Sequence, residues 1–450
     1  MPSITSPILL QVRRLGVATL IAAFALGSAF AQRVEVEFWH GLTQPLGGLL
    51  EEFAADFNAS QDQYHVEASF RGTYPDTMVA AIAAFRAGNA PHIVQMFEVG
   101  TATLMYAGGA VKPVYELFEE TGVDFDPDIY IPAIKGYYSL PDGRMVSMPF
   151  NSSTAIMWVN NDALREAGLD PETTPLETWD QVRAVAKEVV DSGAAPCGFS
   201  MAWPTWTQFE QFSAIHDVPL ATRANGMEGL DAELMINSEL HVRHVQTLLD
   251  MQAEGSFTYG GRDSNADALF PSGECAILHG SSGLRARVVR EAEFDWSTRM
   301  LPYYDDVPNA PLNSIIGGAS FWVMTAPDRT DAEYAAVAEF FNFISTIENA
   351  RRWHVESGFL PIRFGVFEEL EAEGFYEENP GADIPYLQLT RAEPTENSRG
   401  LRLGNMPEIR NIIQEEFELA IQGQQTAQQA LDNAVQRGNV VLRAFERANR

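Results

Sequence analysis

Hydrophobic and polar positions change period along this chain in a regular order. Val34, Val36 and Phe38 alternate with Glu35 and Glu37, the period-two pattern of a strand buried on one face. Leu46, Leu49, Leu50, Phe53 and Phe57 then recur at helical spacing. Tyr64–Phe70 reads as a second strand, 77–87 as an alanine-rich helix with Pro75 in its first turn, and Ile93–Phe97 as a third strand. This alternation predicts an α/β protein with a mostly parallel sheet flanked by helices. The rhythm returns further on. Residues 145–148 and 155–159 read as strands, Trp179–Ser192 as an amphipathic helix, Cys197–Met201 as a strand, 242–252 as a helix and 275–278 as a strand. The run 315–324 is an apolar strand interrupted by Gly317-Gly318, and the tail from Met406 is nearly all helix.

Sheets of this kind bind ligands beyond the carboxyl ends of their strands. That rule singles out Tyr74 and Glu98, each in a turn that leaves a strand for a helix. Ser281 opens the helix after the strand at 275–278, where it caps backbone N–H groups and where those same groups suit an anion. Trp203 and Trp206 lie three apart, one helical turn, and read either as core or as an apolar platform. The polar knot Asn151-Ser152-Ser153-Thr154 between two apolar strands reads as a turn, or as a crossover that also donates to a ligand.

Composition narrows the function. A chain of 450 residues with 46% hydrophobic content has room for two lobes. Its formal net charge of −31 argues against nucleic acid or an anionic membrane as partner. Arg13-Arg14, an apolar run and Ala29-Phe30-Ala31 have the form of a cleavable export signal over 1–31, with cleavage after Ala31. Removing those two arginines takes the net charge from −31 to −33. Cys197 and Cys275 are either a disulfide or two buried thiols. His241 and His244, three apart on a helix, are expected on a solvated face, and no metal site is expected. A Walker loop, a G-x-S-x-G elbow and an H-E-x-x-H helix are all absent, so neither an enzyme nor a cofactor is indicated; a secreted hydrolase of phosphoesters or glycans is the rival class.

Seven stretches together carry a resemblance. They are FWH at 38–40, AAFRAGNAP at 83–91, EVGTAT at 98–103, PFNSST at 149–154, IIGGAS at 315–320, FYEENPGAD at 375–383 and GLRLGNMPEIR at 400–410. They span almost the whole chain after the signal, and in them it resembles the extracellular solute-binding proteins of bacterial ABC importers. The resemblance implies the two-lobed (type II) periplasmic binding fold. Lobe 1 would be 32–152 and 318–359, lobe 2 would be 153–317 and 360–450, and the hinges would lie near 150–155, 315–318 and 359–362. It implies a monomer in the periplasm that captures sn-glycerol-3-phosphate or a glycerophosphodiester by closing its lobes and delivers it to the permease subunits of an ABC transporter. An oligosaccharide is the other ligand class. By position, Tyr74 and Glu98 would hold the glycerol hydroxyls, and Trp203 and Trp206 would cover the glycerol or a larger headgroup. Ser153, Ser281, the Gly318 N–H and Arg410 (with Arg402 as the alternative arginine) would hold the phosphate. Phe359 stands where the family pattern carries a tyrosine, so one phosphate donor is missing from that set.

Overall fold

The computed structural model describes residues 33–450; the export signal read at 1–31 lies outside them. Ten strands form two sheets. The first contains β1 (Val34–His40), β2 (Tyr64–Phe70), β3 (Ile93–Phe97), β4 (Val111–Lys112), β5 (Met148–Ser153) and β10 (Gly317–Met324). Its order is β2-β1-β3-β10-β4, with β5 also paired to β10. The second sheet runs β7 (Cys197–Met201), β8 (Cys275–Ser281), β6 (Ala155–Asn160), β9 (Trp296–Arg299). No helix among the described residues is long and apolar enough to cross a membrane.

The α/β architecture is as expected, but the sheets are mixed rather than mostly parallel. β1 is parallel to β2 and β3, and β7 to β8, whereas β10 is antiparallel to β3, β4 and β5, and β6 is antiparallel to β8 and β9. The reason is where these strands start. A parallel neighbour needs a long crossover connection. β6 instead follows β5 after the single residue Thr154, and β10 follows residues that have just left the second sheet. Both enter at the seam where β3 and β8 end, so they run against them.

Three passages of the chain are stitched together at that seam. Ser153 pairs with Gly317 and Ala155 with Ser281. Thr154 Oγ1 lies 2.8 Å from Ser314 Oγ and 2.9 Å from the Ile315 carbonyl, and the Leu360 N–H donates to the Ser152 carbonyl at 2.8 Å. In the first sheet Phe38, Phe150 and Phe321 pack with Phe340 and Phe341 of the helix Asp331–Ile344. Val182, Val185, Ala186 and Val189 of the helix Trp179–Ser192 pack near Phe199 and Ile277 of the second. Cys197 and Cys275, in register on neighbouring strands, form a disulfide.

The expectation of a solvated face for His241 and His244 is overturned, since each is only 1% exposed. Spacing of three puts both on one side of the helix Glu239–Ala253 but does not say which. Aromatic groups from elsewhere decide: Phe212 stacks on His244 at 4.1 Å, and Trp179 and Tyr304 close around it. His216 belongs to the same cluster; the Tyr304 N–H donates to its Nε2 at 2.9 Å, so Nδ1 carries the proton and donates to the Phe212 carbonyl at 2.8 Å. Burial lowers His216 to about 4 and His241 and His279 to about 3. These rings stay neutral in the fold while the unfolded chain protonates near 6.5, so their contribution is complete above pH 6.5 and is lost as pH falls toward 4. Unfolding free energy is expected to drop between pH 7 and pH 5, and His216→Gln to make that slope shallower by about 1 kcal/mol per pH unit in urea titrations. An unchanged slope would remove His216 from the account.

Candidate functional site

The turns after the parallel strands and the interlobe seam together enclose a cleft of about 120 Å3. Tyr74, Glu98, Ser153, Trp203, Trp206, Ser281, Gly318, Phe359 and Arg410 all line it. Arg402 does not; its Nη2 donates to the carbonyls of Tyr137 and Ser139, both at 2.9 Å.

Tyr74 is the first residue of the helix Tyr74–Arg86, whose start is held by the Thr73 N–H and hydroxyl both donating to Asp76 Oδ2 at 3.0 Å. A hydrogen-bond chain then fixes the direction of its hydroxyl. The Gly41 N–H, which can only donate, meets Gln95 Oε1 at 2.9 Å. Gln95 Nε2 therefore donates to Asn151 Oδ1 at 2.7 Å, and Asn151 Nδ2 donates to Tyr74 Oη at 2.8 Å. With Oη accepting, the phenolic proton is left to donate to something else. Burial raises the phenol well above its ordinary value, so that proton is not lost near neutral pH.

Glu98 begins the turn after β3, where it is buried among first-sheet residues. Arg410, on the helix Met406–Ile421, reaches it through Nη2 at 2.5 Å. The same guanidinium forks onto Glu210, with Nε to Oε1 and Nη2 to Oε2 both at 2.7 Å. Glu210 closes a five-residue π-helical turn, Trp206–Glu210, at the wall of the second lobe. Burial works against the charge on Arg410, but the two carboxylates override it and hold the guanidinium protonated. Burial likewise raises Glu98, with Arg410 opposing. One arginine thus sits between carboxyl groups from the two sides, with Nη1 unbonded among the described residues.

The rest of the wall is hydroxyl, glycine and aromatic. Ser281 Oγ accepts from the Gly283 N–H at 3.1 Å and keeps its proton to donate. Trp206 lies flat against Gly317, where an added Cβ would fall 2.4 Å from Cζ2, and its Nε1 donates to the Ile316 carbonyl at 3.4 Å. Across the cleft the Tyr74 and Trp203 rings stand 6.2 Å apart. Phe359 stacks on Trp353 and points its para carbon at Gly283, so at this position the cleft meets hydrocarbon only. Among the described residues there is no cluster of His, Cys, Asp and Glu with the makings of a metal site.

The bacterial extracellular solute-binding protein model matches residues 41–351. The chain belongs to that family. It is 44% identical over 435 residues to the sn-glycerol-3-phosphate-binding periplasmic protein UgpB of Rhizobium meliloti (strain 1021), covering 96% of this chain and 99% of that protein. It is 45% identical over 431 residues to UgpB of Brucella abortus (strain 2308), covering 96% and 98%. Among solved structures it superposes on UgpB from Mycobacterium tuberculosis in complex with glycerophosphocholine with a TM-score of 0.76, at 19% identity over 91% of this chain and 98% of that one. The GacH receptor of Streptomyces glaucescens GLA.O superposes with a TM-score of 0.75, at 16% identity over 92% and 99%. At such identities the structures show the shared two-lobed fold of these solute-binding proteins.

In this solute-binding protein several cleft residues were missed from sequence. Thr43, Gln44 and Pro45 follow β1, and Thr73 follows β2; the end-of-strand rule that found Tyr74 and Glu98 applies to all four. Ser264, Asp267 and Arg287 also line the cleft, with no local signal to mark them. Gly318 gives a direct test of the seam. Its φ is +90°, and an added Cβ would sit 1.9 Å from the Asn151 carbonyl oxygen. Gly318→Ala is expected to cost more than about 3 kcal/mol in chemical denaturation. Gly193→Ala, at φ +78° with nothing within 4 Å, is expected to cost about 1 kcal/mol. Equal costs would show that the Asn151 contact relaxes freely.

Proposed function

We propose that this protein is the periplasmic capture component of an ABC importer for sn-glycerol-3-phosphate, and that it releases its ligand unchanged to the permease subunits. The observation that carries the reading is that one interlobe cleft gathers a hydroxyl proton, a carboxylate, an arginine and two serines of the kind such a ligand needs. The relatives named for binding sn-glycerol-3-phosphate, similar over nearly the full length, support it.

A glycerol hydroxyl both donates and accepts. Tyr74, whose proton points outward from its chain, supplies the donor, and the second oxygen of Glu98 supplies the acceptor. Trp203 and Trp206 cover the carbon skeleton. The phosphate then lies at the seam against Ser153, Ser281 and the Gly318 backbone, with the remaining Nη1 donors of Arg410. Contacts from both lobes favour the closed form, and that differential affinity drives closure. The net charge of −31 does not forbid an anion, because salt screens distant charges beyond roughly 8 Å.

Calorimetry with sn-glycerol-3-phosphate, glycerophosphocholine and maltose tests the assignment. Binding of a phosphate ligand and none of maltose is expected; binding of maltose alone would move the protein to the oligosaccharide class, and turnover of any of them would make it an enzyme. Tyr74→Phe is expected to weaken sn-glycerol-3-phosphate by about tenfold, the share of one hydrogen bond. Arg410→Lys keeps the charge and loses the fork, and a loss of about 100-fold is expected. Retained affinity in a folded Arg410→Lys protein would mean that the arginine only joins the lobes.

A further inference from the structure

The stretch 400–410 carries two arginines, and the cleft is lined only by the second. Among the described residues, every hydrogen bond from the Arg402 side chain goes to a main-chain carbonyl. Nη2 reaches Tyr137 and Ser139 at 2.9 Å each and Gly136 at 3.4 Å. These residues lie at the end of the short helix Pro132–Tyr137, where the last carbonyls have no partner within the helix. Arg402 is fixed on its other side too, since its own N–H donates to the Asn225 carbonyl at 2.9 Å. A buried guanidinium given over to backbone groups governs where that backbone lies.

Tyr137 leads from that helix end to the cleft. Its ring is buried, and Gly400, two residues before Arg402, packs so closely on it that an added Cβ would fall 2.3 Å from Cε2. A carbonyl can only accept, so Tyr137 Oη donates to the Glu98 carbonyl, at 3.2 Å. Burial and the nearby Glu98 and Glu210 raise the phenol well above its ordinary value, so it keeps the proton it donates. The Thr101 N–H donates to the same Glu98 carbonyl. At the far end of the residue, Arg410 takes Oε1 at 2.5 Å. Glu98 is thus held by its main chain and by one carboxyl oxygen, and those two holds set where Oε2 points. Both trace back to the one stretch 400–410, through Arg402 at its start and Arg410 at its end.

We infer that Arg402 is a positioning residue for ligand selection, acting through the Tyr137 hydroxyl on the Glu98 carbonyl to aim the carboxyl oxygen that meets the glycerol hydroxyls. It thereby raises the preference for a polyol phosphate over a phosphate ester without hydroxyls. The inference rests on the glycerol reading of Glu98. Neither Arg402 nor Tyr137 touches the ligand in it.

Calorimetry with the full chain tests it. The ligands are sn-glycerol-3-phosphate and n-propyl phosphate, which carries a phosphate on three carbons without hydroxyls and is titrated by competition. Tyr137→Phe, which deletes one oxygen, and Arg402→Gln are each expected to weaken sn-glycerol-3-phosphate by about tenfold and to leave n-propyl phosphate within about twofold of wild type. A residue that served only the fold would weaken both ligands alike. In the double variant the losses are expected not to add. Arg402→Gln on top of Tyr137→Phe should cost less than about twofold more, because the hydroxyl through which the arginine acts is already gone. Additive losses, equal losses for both ligands, or an unchanged sn-glycerol-3-phosphate affinity in Arg402→Gln would each overturn the inference. Should Arg402→Gln not fold, Arg402→Lys takes its place in the same cycle, judged by the same outcomes. A wild-type protein that binds both ligands equally, or neither, overturns the glycerol reading of Glu98, an outcome distinct from variants that bind like wild type.

Discussion

Arg410 between Glu98 and Glu210 is the constraint on which the cleft depends. The carboxylates come from opposite sides, one at the end of β3 and the other on the turn after β7, and a helix from the far end of the chain brings the guanidinium to both. Burying three charges together is expensive, and removing any one leaves the others uncompensated at a cost of roughly 3–5 kcal/mol. The arrangement therefore says more about geometry than about net stability. It fixes where the second Glu98 oxygen and the remaining arginine donors lie when the lobes are together. It also changes the electrostatic picture of the pocket. The arginine is no free cation, since Glu98 and Glu210 both engage it.

The seam explains why both sheets are mixed. β6 and β10 begin at the cleft, while the parallel strands end there. One region thus supplies the passage between the two sheets, strand pairing and part of the cleft wall, and its residues are small because three passages of the chain meet in it. Asn151 makes three contacts there, pairing with Ala319 in the sheet, meeting Gly318 through its carbonyl and orienting Tyr74 through its amide.

Much of this was legible in the sequence, for uneven reasons. Tyr74 and Glu98 follow from strand ends, a local signal. Ser153, Gly318 and Arg410 came through resemblance across the whole chain, since nothing near them in sequence says that they meet. The partner of Arg410 was not legible: Glu210 is one of 61 acidic residues and lies in a mixed run, Gln208-Phe209-Glu210-Gln211-Phe212, with no motif to mark it. Asp267 was hidden in the same way. For His241 and His244 periodicity gave the shared side, but Phe212 and Tyr304 decide which way it turns, and they come from distant segments. Strand direction failed because alternating β and α patterns predict parallel neighbours unless a strand returns from another lobe.

The π-helical turn at Trp206–Glu210 has a consequence of its own. It carries Trp206 at its start, Gln208 in the middle against His244 and His279, and Glu210 at its end. A π turn holds one more residue than the α turn it replaces. Deleting Thr207, Gln208 or Phe209 would restore a regular α-helix and still leave indole and carboxylate nearby in sequence. An α-helix advances about 100° and 1.5 Å per residue, so three α steps would leave the two ends close to their present face. What the extra residue provides is room between those ends for Gln208, which reaches both His244 and His279. The length of this segment is therefore part of how the histidine cluster and the cleft wall are packed together, a feature that a comparison of residue identities alone would pass over.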